Sequence, residues 1–292
     1  MIVDFHTHCF PDSLAARVVP LLAESSGIPA FSDGTAAGLR SSMQRSGIDA
    51  SVLLQIATKP SQTPTVNSWA IEQDSPDIIA FGSVHPLYEN WREELDRIAA
   101  AGLKGFKLHP DYQEFFVDDE LLRPIYEHTI ELGLVISFHA GIDVGLSDPV
   151  HCTPQRLLAM YDILQHGKIV LAHMGGWNLW HEVEASLAGS NFYFDTSYCV
   201  GHLAAEDFVR LIRKHGADKI LFGSDSPWED QAVSLANIRS LGLTAAEETA
   251  ILGTNATRLL GIGEVSGLRT PEQGRDGSPS RPQRATAEEI EG

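Results

Sequence analysis

Short apolar runs, rich in β-branched residues, recur along the chain and are separated by polar or helical stretches. Each run is almost continuously apolar, which is typical of strands buried on both faces of a parallel sheet. The runs lie at residues 2–5, 50–55, 78–84, 105–108, 134–138, 169–172, 192–195 and 220–223. The pattern therefore predicts eight parallel strands.

Segments with the helical spacing of apolar residues fill most of the intervals between these runs. Before the sixth run, Thr153 has the residue type of a helix N-cap and Pro154 follows at the first helical position. Strand, helix and parallel strand thus alternate along the chain, which predicts a single (β/α)8 TIM barrel of the α/β class. The other helical segments are residues 91–101, 121–132, 208–215, 232–241 and 245–260.

Two regions depart from this alternation. Residues 11–47 are long for one crossover, and we interpret them as an active-site insertion loop followed by a helix that ends near Gly47. From residue 263 onward the chain is rich in Gly, Pro, Ser and charge, and it lacks the large apolar side chains that offset ordering entropy. The sequence predicts one barrel domain over residues 1–262 and a disordered tail over residues 263–292.

The composition agrees with one soluble domain of this size. The chain has 292 residues, 43% of them hydrophobic and 21% charged, and a TIM barrel uses about 250 residues. No apolar run approaches the ~18 residues that span a bilayer, and the first residues lack the pattern of a secretory signal. The three cysteines, Cys9, Cys152 and Cys199, form no CxxC pair. We therefore expect a reduced protein in the cytoplasm.

The formal net charge of −18 narrows the range of partners. An acidic field of this size repels nucleic-acid phosphates and anionic membrane surfaces, so neither is an expected partner. It does not restrict small substrates, because a local Lys, Arg or metal ion can hold an anion inside an acidic protein. We expect a small-molecule substrate, and the sequence leaves both a monomer and a homodimer open.

Polar residues follow several of the predicted strands, at the barrel end that carries active sites in this fold. His6 and His8 close the first strand, and their spacing of two points both imidazoles to the same side. Two converging neutral imidazoles supply two of the ligands of a typical zinc site. The sequence therefore predicts a metal site at the carboxyl ends of the strands.

Three further residues occupy equivalent positions on later strands. His139 ends LVISFH and His173 ends KIVLAH, and each opens a glycine-containing loop that lets the backbone approach a bound group. One histidine after a strand is usually structural, but two on successive strands favour a shared site. Asp225 follows the eighth strand, beside the first strand once the barrel closes, and is a candidate general base. The alternative for Asp225 is an N-cap before Pro227.

Lys107 and His109 share one face of the fourth strand and can point into the barrel mouth. For Lys107 the alternatives are a substrate-carboxylate anchor and a structural ion pair, and for His109 a loop-capping role before Pro110. Trp177 and Trp228 lie in loops after the sixth and eighth strands, where they could stack on a planar substrate. Ordinary packing is the alternative for both tryptophans.

Together these motifs resemble those of the amidohydrolase superfamily, and more narrowly the amidohydrolase-related family that includes aminocarboxymuconate-semialdehyde decarboxylase. The matching segments are DFHTH, FKLHP, FHAG, LAHMGG and LFGSDSPW, and the resemblance extends over residues 1–262. It implies that His6, His8, His139 and Asp225 hold a divalent metal, with Zn²⁺ as the expected ion. It also implies that His173 is either a catalytic residue or a ligand to a second metal.

The resemblance leaves two activities open. Decarboxylase-like members bind one zinc, whereas in binuclear hydrolases such as dihydroorotase a strand-four lysine carries a carbamate that bridges two metals, and KLHP resembles that segment at Lys107. Lys107, His109 and His173 are therefore the candidates for a second metal or for substrate contact. We expect a metal-dependent hydrolase, with Asp225 relaying a proton and His173 steadying an oxyanion.

The alternative activity is non-oxidative decarboxylation of an aromatic or muconate-type carboxylic acid. Both activities need the same ligands, so the residues do not separate them. An inactive, ligand-binding barrel is a third interpretation, which the sequence disfavours because every expected ligand position is filled.

Overall fold

Eight parallel strands form the centre of the computed structural model, which describes residues 1–146 and 148–263. Each strand pairs with the next one along the chain, in the order β1 to β8. Beyond Gly263, the tail that we expect to be disordered lies outside the described residues. The strands are β1 (Val3–Thr7), β2 (Ala50–Leu54), β3 (Ile78–Ser83), β4 (Gly105–Leu108), β5 (Val135–Phe138), β6 (Lys168–Leu171), β7 (Tyr193–Asp195) and β8 (Ile220–Leu221).

Backbone hydrogen bonds join the two ends of this sheet. Phe5 N donates to Phe222 O over 2.7 Å, and Asp225 N donates to His6 O over 2.8 Å. The sheet therefore closes into a barrel, and the predicted (β/α)8 fold is confirmed. Closure also brings the residues that follow β8 beside the carboxyl end of β1.

Helices cover the outside of the barrel between successive strands. Thr153 caps α6 as predicted, accepting a hydrogen bond from Arg156 N over 3.4 Å. No helix in the described ranges is both long and apolar enough to cross a membrane. The helices are α1 (Asp12–Ser26), α2 (Ala36–Ser46), α3 (Thr63–Gln73), α4 (Trp91–Ala100), α5 (Arg123–Glu131), α6 (Pro154–Ala159), α7 (Tyr161–Leu164), α8 (Trp180–Ser186), α9 (Ala205–His215), α10 (Gln231–Ser240), α11 (Ala245–Thr249) and α12 (Asn255–Leu260).

The long connection between β1 and β2 differs from the expected loop and single helix. It contains two helices, α1 and α2. α2 ends at Ser46, one residue before the predicted end, and Gly47 is its C-cap at φ 69°. A left-handed residue at this position favours glycine because it has no Cβ. The connection therefore has one helix more than predicted, α1.

The apolar core has an inner and an outer layer. The outer layer lies between strands and helices, and the inner layer fills the barrel with side chains from several strands, including Phe5 and Phe81 in edge-to-face contact. Leu259 and Leu260 of α12 pack against this inner layer. Apolar side chains thus fill the barrel interior, as in other barrels of this fold.

Candidate metal centre

His6, His8 and Asp225, which we call the His6 triad, converge where β1 meets the residues after β8. His6 Nε2 lies 3.2 Å from His8 Nε2, and Asp225 Oδ1 lies 3.5 Å from His6 Nε2 and 3.2 Å from His8 Nε2. Ligands at 2.0–2.1 Å from a tetrahedral ion are separated by about 3.3 Å. The three donor atoms therefore have the spacing of a metal-binding set.

The opposite ring nitrogens of the two histidines are held by acceptors. His6 Nδ1 lies 2.9 Å from Asp195 Oδ2, and His8 Nδ1 lies 2.9 Å from the carbonyl oxygen of Leu54. Each Nδ1 therefore carries the proton, and each Nε2 presents a lone pair. With the Asp225 carboxylate, three electron-rich atoms face one another, an arrangement that a cation between them would stabilise.

The protonation states of the triad also suit a cation. Burial, and then the charge of Lys107, lower the pKa of His6 to about 4, so its imidazole is neutral at pH 7. Burial raises the pKa of Asp225, but His6 and His8 outweigh this effect and bring it to about 2. A neutral imidazole and an ionised carboxylate are the forms that bind metal.

β1 departs from regular alternation to place these histidines. Its pairing with β2 shifts register between Asp4 and Thr7, so Phe5 joins the inner core while the next residue, His6, reaches the barrel mouth. Gly223 leaves room for it, because a Cβ on that glycine would lie 2.9 Å from His6 Cβ. The register shift in β1 and the lack of a side chain at Gly223 together allow His6 to occupy this position.

Asp195 and Ser197, which were not among the predicted site residues, link β7 to the site. Ser197 Oγ lies 2.5 Å from Asp195 Oδ1 and 3.0 Å from both His6 Nδ1 and His173 Nδ1. Asp195 is fully buried, and it accepts from the backbone N–H of His173 over 3.1 Å. Its position at the end of a strand was the signal that could have identified it.

His139 lies beside the His6 triad rather than within it. Its Nδ1 is 3.1 Å from His173 Nε2, and its Nε2 is buried without a hydrogen-bond partner among the described residues. Asp143 Oδ2 lies 3.8 Å from His139 Nε2 and 3.4 Å from His109 Nε2, and the two imidazole rings stack at 4.1 Å. His139 thus belongs to a second group with His109 and Asp143, and its role as a ligand beside His6 stays a prediction.

Asp143 could not be identified from the sequence, because it lies within a loop and not at the end of a strand.

His173 and Asp225 adopt left-handed backbone conformations, with φ of 58° and 71°. Non-glycine residues rarely adopt this region, and such conformations cluster at functional sites. The local backbone therefore aims these two side chains into the barrel mouth.

Lys107 is the most unusual group in the site. Its side chain on β4 is 1% exposed, and its Nζ has no hydrogen-bond partner in the described part of the chain. Burial lowers the pKa of this amine to about 8, although Asp195 and Asp225 oppose the shift. Among the described residues, Lys107 forms no salt bridge, so the structural ion pair that was the alternative for this lysine is not present there.

A cavity of about 470 Å³ opens at this end of the barrel. This volume lies in the usual range for small-molecule sites. Trp177 and Trp228 both contribute to its wall, as do Tyr198 and side chains of α1. The cavity reaches every predicted site residue, namely His6, His8, Lys107, His109, His139, His173, Trp177, Asp225 and Trp228.

Solved structures of known proteins share this fold. One is a 2,6-dihydroxybenzoate decarboxylase complexed with 2,6-dihydroxybenzoate, at 20% identity and a TM-score of 0.69, covering 89% of this chain and 99% of that one. Another, from Pseudomonas putida, carries the provisional description of a 2-pyrone-4,6-dicarboxylic acid hydrolase, at 18% identity and a TM-score of 0.64, covering 89% of this chain and 97% of that one.

A third similar structure is a dihydroxybenzoic acid decarboxylase from Polaromonas sp. JS666 with bound manganese and 2-nitroresorcinol, at 16% identity and a TM-score of 0.64, covering 89% of this chain and 97% of that one. No curated protein sequence matches the chain. The amidohydrolase family model, however, matches residues 3–262. The chain therefore belongs to the amidohydrolase family and is an enzyme.

Proposed function

We propose that this enzyme is a metal-dependent hydrolase of a small-molecule amide, ester or lactone. The His6 triad would hold one divalent cation, with zinc as the expected ion, although one similar decarboxylase binds manganese. A cation there would lower the pKa of water towards ~7 and polarise the oxygen of a substrate carbonyl. Asp225, which stays ionised and lines the cavity, would accept and relay the proton released during hydrolysis.

The buried, unpartnered Lys107 is the observation that favours hydrolysis over decarboxylation. An ammonium without a partner is costly in a buried site, whereas a carbamate on the same nitrogen would be an anion able to hold cations. The lowered pKa supports this, because only the neutral amine attacks carbon dioxide, forming the N–C bond and releasing a proton. We infer that Lys107 is carbamylated and contributes to a second cation site.

His139 and His173 would complete the second site. His173 Nδ1 donates to the carbonyl oxygen of Ser197 over 2.9 Å, so its Nε2 presents a lone pair towards His139 Nδ1. An oxyanion needs an N–H donor, which His173 Nε2 does not offer in this tautomer. His173 is therefore better suited to hold a second cation than to steady an oxyanion.

Elemental analysis of the purified protein tests the proposal. We expect about two metals per chain, and Lys107→Ala should lower this to about one, because the carbamate is lost. A protein grown with ¹³C-bicarbonate should show a carbamate carbon signal that disappears in Lys107→Ala. Lys104→Ala is the matched control, since Lys104 is exposed and lies three residues before Lys107. One metal per chain, unchanged by Lys107→Ala, would overturn the binuclear hydrolase.

Decarboxylation is the second candidate, and a free Lys107 ammonium is the arrangement that would support it. In that case Lys107 would anchor a substrate carboxylate inside a largely apolar cavity. The decarboxylase would bind one metal per chain and release carbon dioxide from an aromatic or muconate-type acid. Metal content and carbon dioxide release therefore separate the two activities.

A further inference from the structure

α1 carries two adjacent apolar stripes with different surroundings. Ala15 and Val19 are buried. Leu14, Val18 and Leu22, which we call the cavity stripe, are only half-buried and line the cavity. A spacing of four places the three residues on one face of the helix. The cavity stripe therefore presents apolar surface to the cavity.

Other apolar residues continue this wall. Ile56 follows β2, and Val66 and Trp69 belong to α3, and all three line the same cavity. Among its described lining residues, the charged ones are Lys107, Asp143 and Asp225, and each of these belongs to the barrel mouth and its loops. The α1 and α3 walls thus contribute no charge to the cavity.

We propose that the substrate carries an uncharged apolar group, an alkyl chain or ring, that lies against the cavity stripe, and that Leu22 determines specificity for this group. The polar side chains that α1 and α3 add to the lining are Ser26 and Thr65, and both are uncharged. A charged group against this wall would therefore lose its hydration without gaining an oppositely charged partner. An apolar group gains about fourfold in affinity for each methylene that it buries. The inference deepens the proposed function, because it assumes that the reacting carbonyl lies at the His6 triad.

Binding of three amides to the metal-loaded full chain tests this inference, read by the fluorescence of Trp69, Trp177 and Trp228 in the cavity wall. The probes are acetamide, octanamide and 7-carbamoylheptanoate, which is an octanamide with a carboxylate in place of its terminal methyl group. Octanamide should bind at least tenfold more tightly than either of the others. The short amide lacks the apolar chain, and the third probe places a charge against the apolar wall.

Leu22→Gln and Leu21→Gln form a matched pair of adjacent substitutions. Leu21 is 58% exposed and does not line the cavity, so its substitution should leave octanamide binding unchanged. Leu22→Gln should weaken octanamide binding about tenfold and leave the metal content at its wild-type value. Equal effects of the two substitutions, or equal binding of octanamide and 7-carbamoylheptanoate, would overturn the inference.

Failure of the apolar-group inference can be distinguished from failure of the proposed hydrolase function. Failure of the hydrolase proposal appears in the metal content and in Lys107→Ala, and neither measurement depends on the α1 wall. Loss of the preference for octanamide in a protein with about two metals per chain would overturn only the apolar-group inference.

Discussion

The surroundings of Lys107 are unfavourable for an ammonium group. Its ammonium is removed from water, and no described acceptor replaces the lost hydration. Natural proteins tolerate such a cost where the group has a function. At this residue, stability and activity should therefore respond to substitution in opposite directions.

The stability of the metal-free protein should rise between about pH 8 and pH 10.5. The folded-state pKa of Lys107 is about 8 and its ordinary value is 10.5, so the unfolded chain binds more protons in this window. The free energy of unfolding should therefore increase by about 3 kcal/mol across this window, as Lys107 loses its proton in the folded protein. Lys107→Met should remove this slope and raise the free energy of unfolding at pH 7, measured by urea denaturation with EDTA.

Lys104→Met is the control for this experiment, because an exposed lysine should leave the pH dependence unchanged. Identical pH slopes for the wild-type protein and Lys107→Met would show that the buried amine is not responsible.

The sequence identified part of the site because strand geometry is periodic. His6 and His8 are two residues apart at the end of an apolar run, so their common direction followed from the sequence. The separation of His139 from the His6 triad depends on ring orientation, which spacing does not specify. Asp143 could not be identified from the sequence because its position depends on how one loop folds back over the barrel mouth.

At the scale of elements, Asp4 ties β1 to the chain after β8. This buried carboxylate accepts hydrogen bonds from Ser224 N at 2.9 Å, Ser224 Oγ at 2.5 Å and Gln231 Nε2 at 2.8 Å. Burial raises the pKa of Asp4 to about 6, although these donors oppose the shift. The network spans the point where the barrel closes and lies one residue from Asp225.

Asp4→Ala should lower the free energy of unfolding by about 3 kcal/mol, because it leaves several buried donors without an acceptor. It should also weaken zinc binding, since Ser224 and Asp225 are adjacent. Asp4→Asn retains the shape and one acceptor oxygen, so its effect should be smaller. Urea denaturation and zinc titration measure the two effects, and wild-type stability in Asp4→Ala would contradict this role.

α1 shows where the hydrophobic pattern misleads. Its two apolar stripes make the segment look irregular, because one stripe packs on the protein and the other faces a cavity, and Pro20 lies within the helix. Periodicity predicts a helix best when one apolar face meets one core. The eight strands were easier to predict, since each is buried and continuously apolar.

At the scale of the whole molecule, metal binding and stability should be coupled. A cation that binds only the folded chain stabilises it by about 4 kcal/mol at a thousand times its dissociation constant. The melting temperature in excess zinc should therefore exceed that in EDTA by about 5–10 °C. Asp225→Asn and His6→Ala should lose most of this shift and about a hundredfold or more of the activity while the barrel still folds.

Asp230→Asn is the matched control, because Asp230 caps α10 through its side-chain oxygen and asparagine retains that cap. Calorimetry and circular dichroism would record the shift and the fold. A full zinc-dependent shift with wild-type turnover in Asp225→Asn would remove Asp225 from the metal site.

Barrel closure has a consequence for when the proposed metal site forms. The His6 triad combines the first strand with residues that follow the last one. During translation, His6 and His8 are therefore synthesised long before Asp225, the third donor of the triad. A cation that binds at this triad should slow unfolding far more than it speeds folding, because the triad is complete only after the barrel has closed.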